Sequence, residues 1–289
     1  MRMKKLSSTI LIYFFAVHFC AAQKDSTRNN IIYPAPWFVE KFQVFAGTFM
    51  PISNINVQVS NTSGNIGTEI DFENDLGFDK TFVTFIADFQ YRLKRRSRLD
   101  LSYYRFNRYS TTRLNKDINF GDNTYLANSI ANSIFNTQIY RLSYGYSVIE
   151  KPKYELGFLI GAHIVKADSE MSADTTIGTF TTKDEFGFTA PLPNLGIWGG
   201  YALSDRLAIT GEFSYLSLTV NETSGRIVAL SVFFLFRVAS YLNLSLGYSG
   251  LNVKIDATKP KLTGQFIWGY NGPSLTATFS FGKKYWTHK

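Results

Sequence analysis

Every second residue of the stretch 274–281 is apolar: Leu275, Ala277, Phe279 and Phe281 alternate with Ser274, Thr276, Thr278 and Ser280. A period of two puts the apolar four on one face of a strand and leaves hydroxyls on the other, as in a wall between lipid and a polar interior. The alternation recurs along the chain. Val83, Phe85, Ala87, Phe89 and Tyr91 oppose Thr84, Asp88, Gln90 and Arg92, and Leu99, Leu101 and Tyr103 oppose Asp100, Ser102 and Tyr104. Tyr140, Leu142, Tyr144 and Tyr146 oppose Arg141, Ser143 and Gly145, and Leu156, Phe158, Ile160, Ala162 and Ile164 oppose Glu155, Gly157, Gly161 and His163.

These patterns predict about ten strands, with eight and twelve as neighbouring counts: 38–59, 81–93, 98–109, one ending at 148, 154–166, 188–203, 206–220, 226–238, 243–256 and 264–281. Pro191 and Pro193 break the sixth, and Pro51 interrupts the first. The apolar parity slips between Tyr248 and Leu251, which predicts a bulge near Gly250, and Asn271-Gly272-Pro273 predicts another. Arg105 falls on the lipid parity, which places it near a headgroup layer. Connections at 94–97, 150–153, 204–205 and 239–242 are short, whereas those at 61–80, 112–127, 169–187, 221–225 and 257–263 are longer. Alternating short turns and long loops with an even strand count are the construction of an outer-membrane barrel. The expected fold is therefore all-β, an antiparallel transmembrane β-barrel.

Composition agrees. Mean hydropathy is −0.07 with 16% aromatic residues, as expected when apolar and polar positions alternate within each strand. Tyr103, Tyr144, Tyr154, Trp198, Tyr201, Tyr248, Trp268 and Tyr270 are expected in aromatic belts at the two membrane interfaces. Met1-Arg2-Met3-Lys4-Lys5, an apolar run and Cys20-Ala21-Ala22 read as a signal peptide over 1–22. Residues 23–37 then form a polar, proline-bearing periplasmic tail, 38–281 the barrel, and 282–289 a carboxy-terminal tail. Removing the leader removes the only cysteine, and with it disulfides and thiol chemistry. No basic run is long enough for nucleic acid. The expected partners are outer-membrane lipid and lipopolysaccharide, together with the barrel-insertion machinery acting on the last strand.

Thr68-Glu69-Ile70-Asp71-Phe72-Glu73-Asn74-Asp75-Leu76-Gly77-Phe78-Asp79-Lys80 ahead of a strand resembles a signature of bacterial outer-membrane barrels without assigned function. So do Asp117 to Asp122, Tyr140 to Tyr146, Pro191 to Gly196 and Tyr270 to Pro273. The resemblance implies an OmpA-like small barrel in a Gram-negative envelope, of Bacteroidota type, and supplies no activity. Gly272, Leu275 and Ala277 resemble the carboxy-terminal insertion signal, although here Gly282 to Lys289 follow it.

Candidate chemistry is sparse. Glu69, Asp71, Glu73 and Asp75 share one parity in the first long loop, an arrangement that suits Ca²⁺ only if the acids converge. The simpler expectation is an extended, solvated segment with Ile70 and Phe72 on the barrel rim, and no metal or cofactor. His163 points to the interior without an Asp-x-Asp pair facing it by sequence, so a structural role is expected and not catalysis. The interior parity collects Asp88, Arg92, Asp100, Arg108, Arg141, Glu155, Glu212 and Arg237. Opposite charges inside a narrow barrel pair across it, because a lone buried charge is too costly. The expected function is a structural or surface-interaction role with a filled lumen. The alternatives are a narrow channel for small or apolar molecules and, after it, a lipid-modifying enzyme.

Overall fold

The computed structural model describes residues 32–33, 35–59, 68–120, 123–174, 181–220, 223–259, 262–282 and 286–287. Among them ten strands form a ring. The first is Phe42–Phe49 continued by Ile52–Val59; the second to fifth are Thr84–Arg92, Ser97–Arg113, Ile130–Glu150 and Tyr154–Asp174. The sixth to tenth are Thr181–Ala202, Leu207–Val220, Thr223–Ala239, Leu242–Lys259 and Leu262–Phe281. Each pairs antiparallel with the next, and the tenth returns to the first, closing an all-β barrel. Closure removes the sheet edges that would otherwise invite aggregation. Ile32–Tyr33 pair with Trp286–Thr287 as a separate two-stranded unit.

The barrel has two halves in which the apolar face is inverted. Toward the short turns, Leu101, Leu142, Phe158, Phe234, Leu246 and Leu275 are exposed on the outer wall, and Ser102, Ser143, Ser245 and Thr276 are buried within. Toward the other end, apolar residues turn inward. Phe106, Phe135, Ile139, Val165, Val253, Phe266 and Trp268 pack into one core, and Asn107, Asn132 and Lys166 stand outside. The fifth and sixth strands are 21 and 22 residues long. A tilted transmembrane strand needs only about 9–11 residues, so half of each strand lies beyond the apolar belt.

This inversion corrects several expectations. The ninth strand has no bulge at Gly250, because its ladders to both neighbours hold one register there. Leu244, Leu246 and Tyr248 face out, whereas Leu251 and Val253, on the opposite parity, face in where the wall leaves the apolar belt. Asn271-Gly272-Pro273 is not a bulge either, since the tenth strand keeps one register across it with both neighbours. The apparent loops at 169–187, 221–225 and 257–263 are largely strand among the described residues, because the barrel continues beyond the apolar belt with polar residues outside. Arg105 is exposed where the outer face becomes polar. Trp198, Trp268 and Tyr270 are buried in the interior and do not belong to an interfacial belt. Tyr103–Tyr140, Tyr154–Tyr201 and Phe42–Tyr91 are ring pairs whose members are exposed or half-exposed on the outer wall.

One ladder stops early. The sixth and seventh strands pair only from Leu195↔Tyr215 to Ala202↔Ala208, whereas the sixth stays paired with the fifth from Tyr201 back to Thr181. Proline has no N–H to give a ladder, and Pro191 and Pro193 share one parity, so both leave the same edge without donors. Contrary to the expectation from sequence, the prolines do not break the sixth strand, but they fall where its pairing to the seventh ends.

Candidate functional site

The lower half encloses a chamber of about 230 Å³. Six of the eight residues assigned to the interior charge network line it: Asp88, Arg92, Asp100, Arg141, Glu155 and Glu212. They occupy inward positions on the second, third, fourth, fifth and seventh strands, and alternation alone aims them at one another. Arg92 ends the second strand and Glu155 is the second residue of the fifth. Their side chains meet in a two-pronged pair, with Nη1 donating to Oε1 at 2.6 Å and Nη2 to Oε2 at 2.8 Å. Both are 2% exposed, so each neutralises a charge that the interior could not hold alone. Arg141 pairs with Glu212. Asp100 accepts from Gln90 at 2.7 Å and sits in the ladder two rungs from Asp88↔Ser102, on the same face.

Arg98, which the sequence places at the start of the third strand but outside the charge network, joins this group. Its Nε lies 3.0 Å from Asp100, its Nη2 lies 3.8 Å from Glu212, and its guanidinium stacks 3.6 Å from the Trp198 ring. Parity was the available signal, since Arg98 shares it with Asp100 and Ser102.

The other two assigned residues lie at opposite ends. Arg237 donates to the Trp37 carbonyl at 2.9 Å and stacks on its ring at 4.3 Å. It thereby holds a strap, residues 35–40, across the short-turn end. Trp37 Nε1 donates to the Ser204 carbonyl at 2.8 Å, and Phe38 and Val39 pack on Ala202, Ala208 and Leu235. Gly200 allows this approach, because a Cβ there would come within 2.7 Å of the Phe38 ring. Residues 35–37, expected to be part of a tail, are thus built into the barrel.

Arg108 secures the opposite end. Its Nη2 donates to Glu73 at 2.8 Å and to the Asp79 carbonyl at 2.7 Å. The acidic loop is consequently not an extended, solvated segment. It turns at residues 72–75, with Gly77 at φ 69°, and sends Ile70, Phe72, Leu76 and Phe78 into the upper core. Its acids diverge: Glu73 points inward to Arg108, Asp75 pairs with Lys116 at 2.8 Å, and Asp71 accepts from the Asn74 backbone N–H at 2.9 Å. Glu69 is exposed. Above the chamber, the rings of Phe106, Trp268 and Tyr270 pack on one another edge-on or tilted and continue the fill.

His163 faces the chamber wall opposite Arg141 and Leu192, 5% exposed, and its Nδ1 has no protein partner. Where the sixth and seventh strands part, Asn194 and Ser214 are each 1% exposed. Both amide atoms of Asn194 and the Ser214 hydroxyl lack a protein partner. Sequence alone did not single out either residue. Two prolines just ahead of an inward-facing asparagine, on a strand whose inner face from Phe188 to Ala202 otherwise holds small or apolar groups, were the available trace.

No family model matches the chain, and no curated protein sequence matches it. Several solved structures are similar at low identity. Ail, the attachment invasion locus protein of Yersinia pestis, was solved in complex with the heparin analogue sucrose octasulfate. It is 9% identical with a TM-score of 0.34, covering 82% of this chain and 99% of that one. The toluene transporter TodX of Pseudomonas putida is 9% identical with a TM-score of 0.33, covering 85% and 91%. Neisserial surface protein A is 11% identical with a TM-score of 0.27, covering 83% and 97%.

Proposed function

We propose that this chain is an integral outer-membrane barrel of a Gram-negative cell that displays a rigid head at the surface, in a structural or surface-interaction role. The face inversion carries this reading. A barrel that only spans the bilayer has no use for a second storey with polar outer walls and its own hydrophobic core. Here that storey is solid, with Phe72, Phe106, Phe135 and Trp268 among its buried residues, and the acidic loop is pinned to it by Glu73 and Arg108. A solid interior suits a scaffold for presentation and not a conduit. The strap lies across the opposite end, where Phe38 and Val39 line the remaining space. Outer-leaflet lipid and lipopolysaccharide would surround the apolar belt, and the barrel-insertion machinery would read the tenth strand.

Labelling of intact cells tests the display. A thiol introduced by Asn132→Cys, on the polar outer face of the upper half, is expected to react with a membrane-impermeant maleimide, and one from Leu142→Cys, in the belt, is not. Asn132→Cys reacting only after lysis would mean that the head faces the periplasm and would overturn the surface role.

A further inference from the structure

The unzipped seam between the sixth and seventh strands does not contribute to closure. Below Leu195↔Tyr215 the two strands form an ordinary ladder, and above it each keeps only its other neighbour. The seam opens where the outer wall changes from Leu195 and Tyr215 to Ser217 and Thr219, at the margin of the apolar belt. Prolines on facing edges are a device that stops strands from pairing, and this wall carries two of them at the point of parting. Just inside lie the Asn194 amide and the Ser214 hydroxyl, fully buried and without protein partners. An unsatisfied buried amide costs free energy that a bound group recovers. The surroundings are apolar: Leu192 approaches Gly225 of the eighth strand, Leu216 packs with the upper core, and Leu218, on the inward parity, is 47% exposed.

We propose that this seam is a binding site for a single-chain amphiphile with an uncharged hydrogen-bonding head group. The head enters between the strands and exchanges hydrogen bonds with Asn194 and Ser214, and its chain lies along the seam against Leu192 and Leu218. Asn194 supplies both donor and acceptor, so a hydroxyl or a carboxamide satisfies both of its atoms, and an ester accepts from its N–H alone. The inward-facing Arg141 is already paired with Glu212, so it offers no free positive charge inside the wall to select an anion. The site rests on the barrel lying in a membrane, and heat-dependent gel migration reports that premise separately.

The test uses the folded chain in phospholipid nanodiscs with a monoacylglycerol bearing a photoreactive diazirine in its acyl chain. Adducts are mapped by mass spectrometry. They are expected in peptides spanning 188–194 and 214–218. Loss of about one hydrogen bond in Asn194→Leu should reduce them roughly fivefold. Pro191→Thr with Pro193→Thr, which restores the missing donors and lets the ladder zip, should reduce them similarly while gel migration stays that of a folded barrel. Adducts spread evenly over the belt, or seam adducts surviving both variants, would overturn the site. Equal seam labelling by a lysophosphatidylcholine probe would overturn the preference for an uncharged head.

Discussion

Arg108 of the third strand and Glu73 of the acidic loop meet at 2.8 Å, with side chains 4% and 1% exposed. The pair fastens a segment that composition alone assigns to solvent. Removing one partner strands a buried charge, so Glu73→Ala is expected to cost about 3–5 kcal/mol. Replacing the pair with Glu73→Leu and Arg108→Met should recover most of that loss, since apolar groups of similar size suit this core. Equilibrium urea unfolding in detergent micelles checks both values. Equal stability of Glu73→Ala and the unaltered chain would show that the loop is not fastened there.

The outer wall of the tenth strand separates lipid from lumen residue by residue. Phe279 is 47% exposed and Thr278 is 5%. Phe279→Lys should cost up to ~2–4 kcal/mol if it lies near the midplane of the bilayer. Thr278→Lys, facing a chamber that holds Asp88 and Glu212, should cost distinctly less. Folding into lipid vesicles across a urea series measures the difference, and a reversed order would place lipid on the wrong face.

Arg237 and Trp37 hold the strap over the short-turn end. Arg237→Ala removes a charge-assisted hydrogen bond and a cation over an aromatic ring, which together contribute about 1–3 kcal/mol. The expected result is faster proteolytic cleavage near residues 35–40 and stronger quenching of Trp37 fluorescence by aqueous acrylamide, with strand content unchanged by circular dichroism. Unaltered cleavage and quenching would mean that Phe38 and Val39 suffice to seat the strap.

The strands and the inward charges were legible because period-two alternation fixes which way each side chain points. Asp88, Arg92, Asp100, Arg141, Glu155 and Glu212 reach one chamber for that reason. Alternation does not say what lies outside the wall. At Tyr248 and Leu251 the same apolar preference serves lipid on one parity and a protein core on the other, so the pattern reads as a bulge where the strand is regular. The acidic loop misled for a related reason. Its charges advertise solvent, yet Ile70, Phe72, Leu76 and Phe78 bury a full apolar face, and Glu73 finds its cation 35 residues away. The seam was hidden because pairing partners belong to the ladder and not to either strand's own sequence.

Conductance of the purified chain in planar bilayers tests the closed lumen most directly. The strap below and the aromatic core above predict no steady openings. Removal of the strap alone, by deletion up to residue 40, is predicted to leave the membrane silent, because the upper half stays filled. Steady, reproducible openings by the intact chain would contradict the closed barrel and favour a channel.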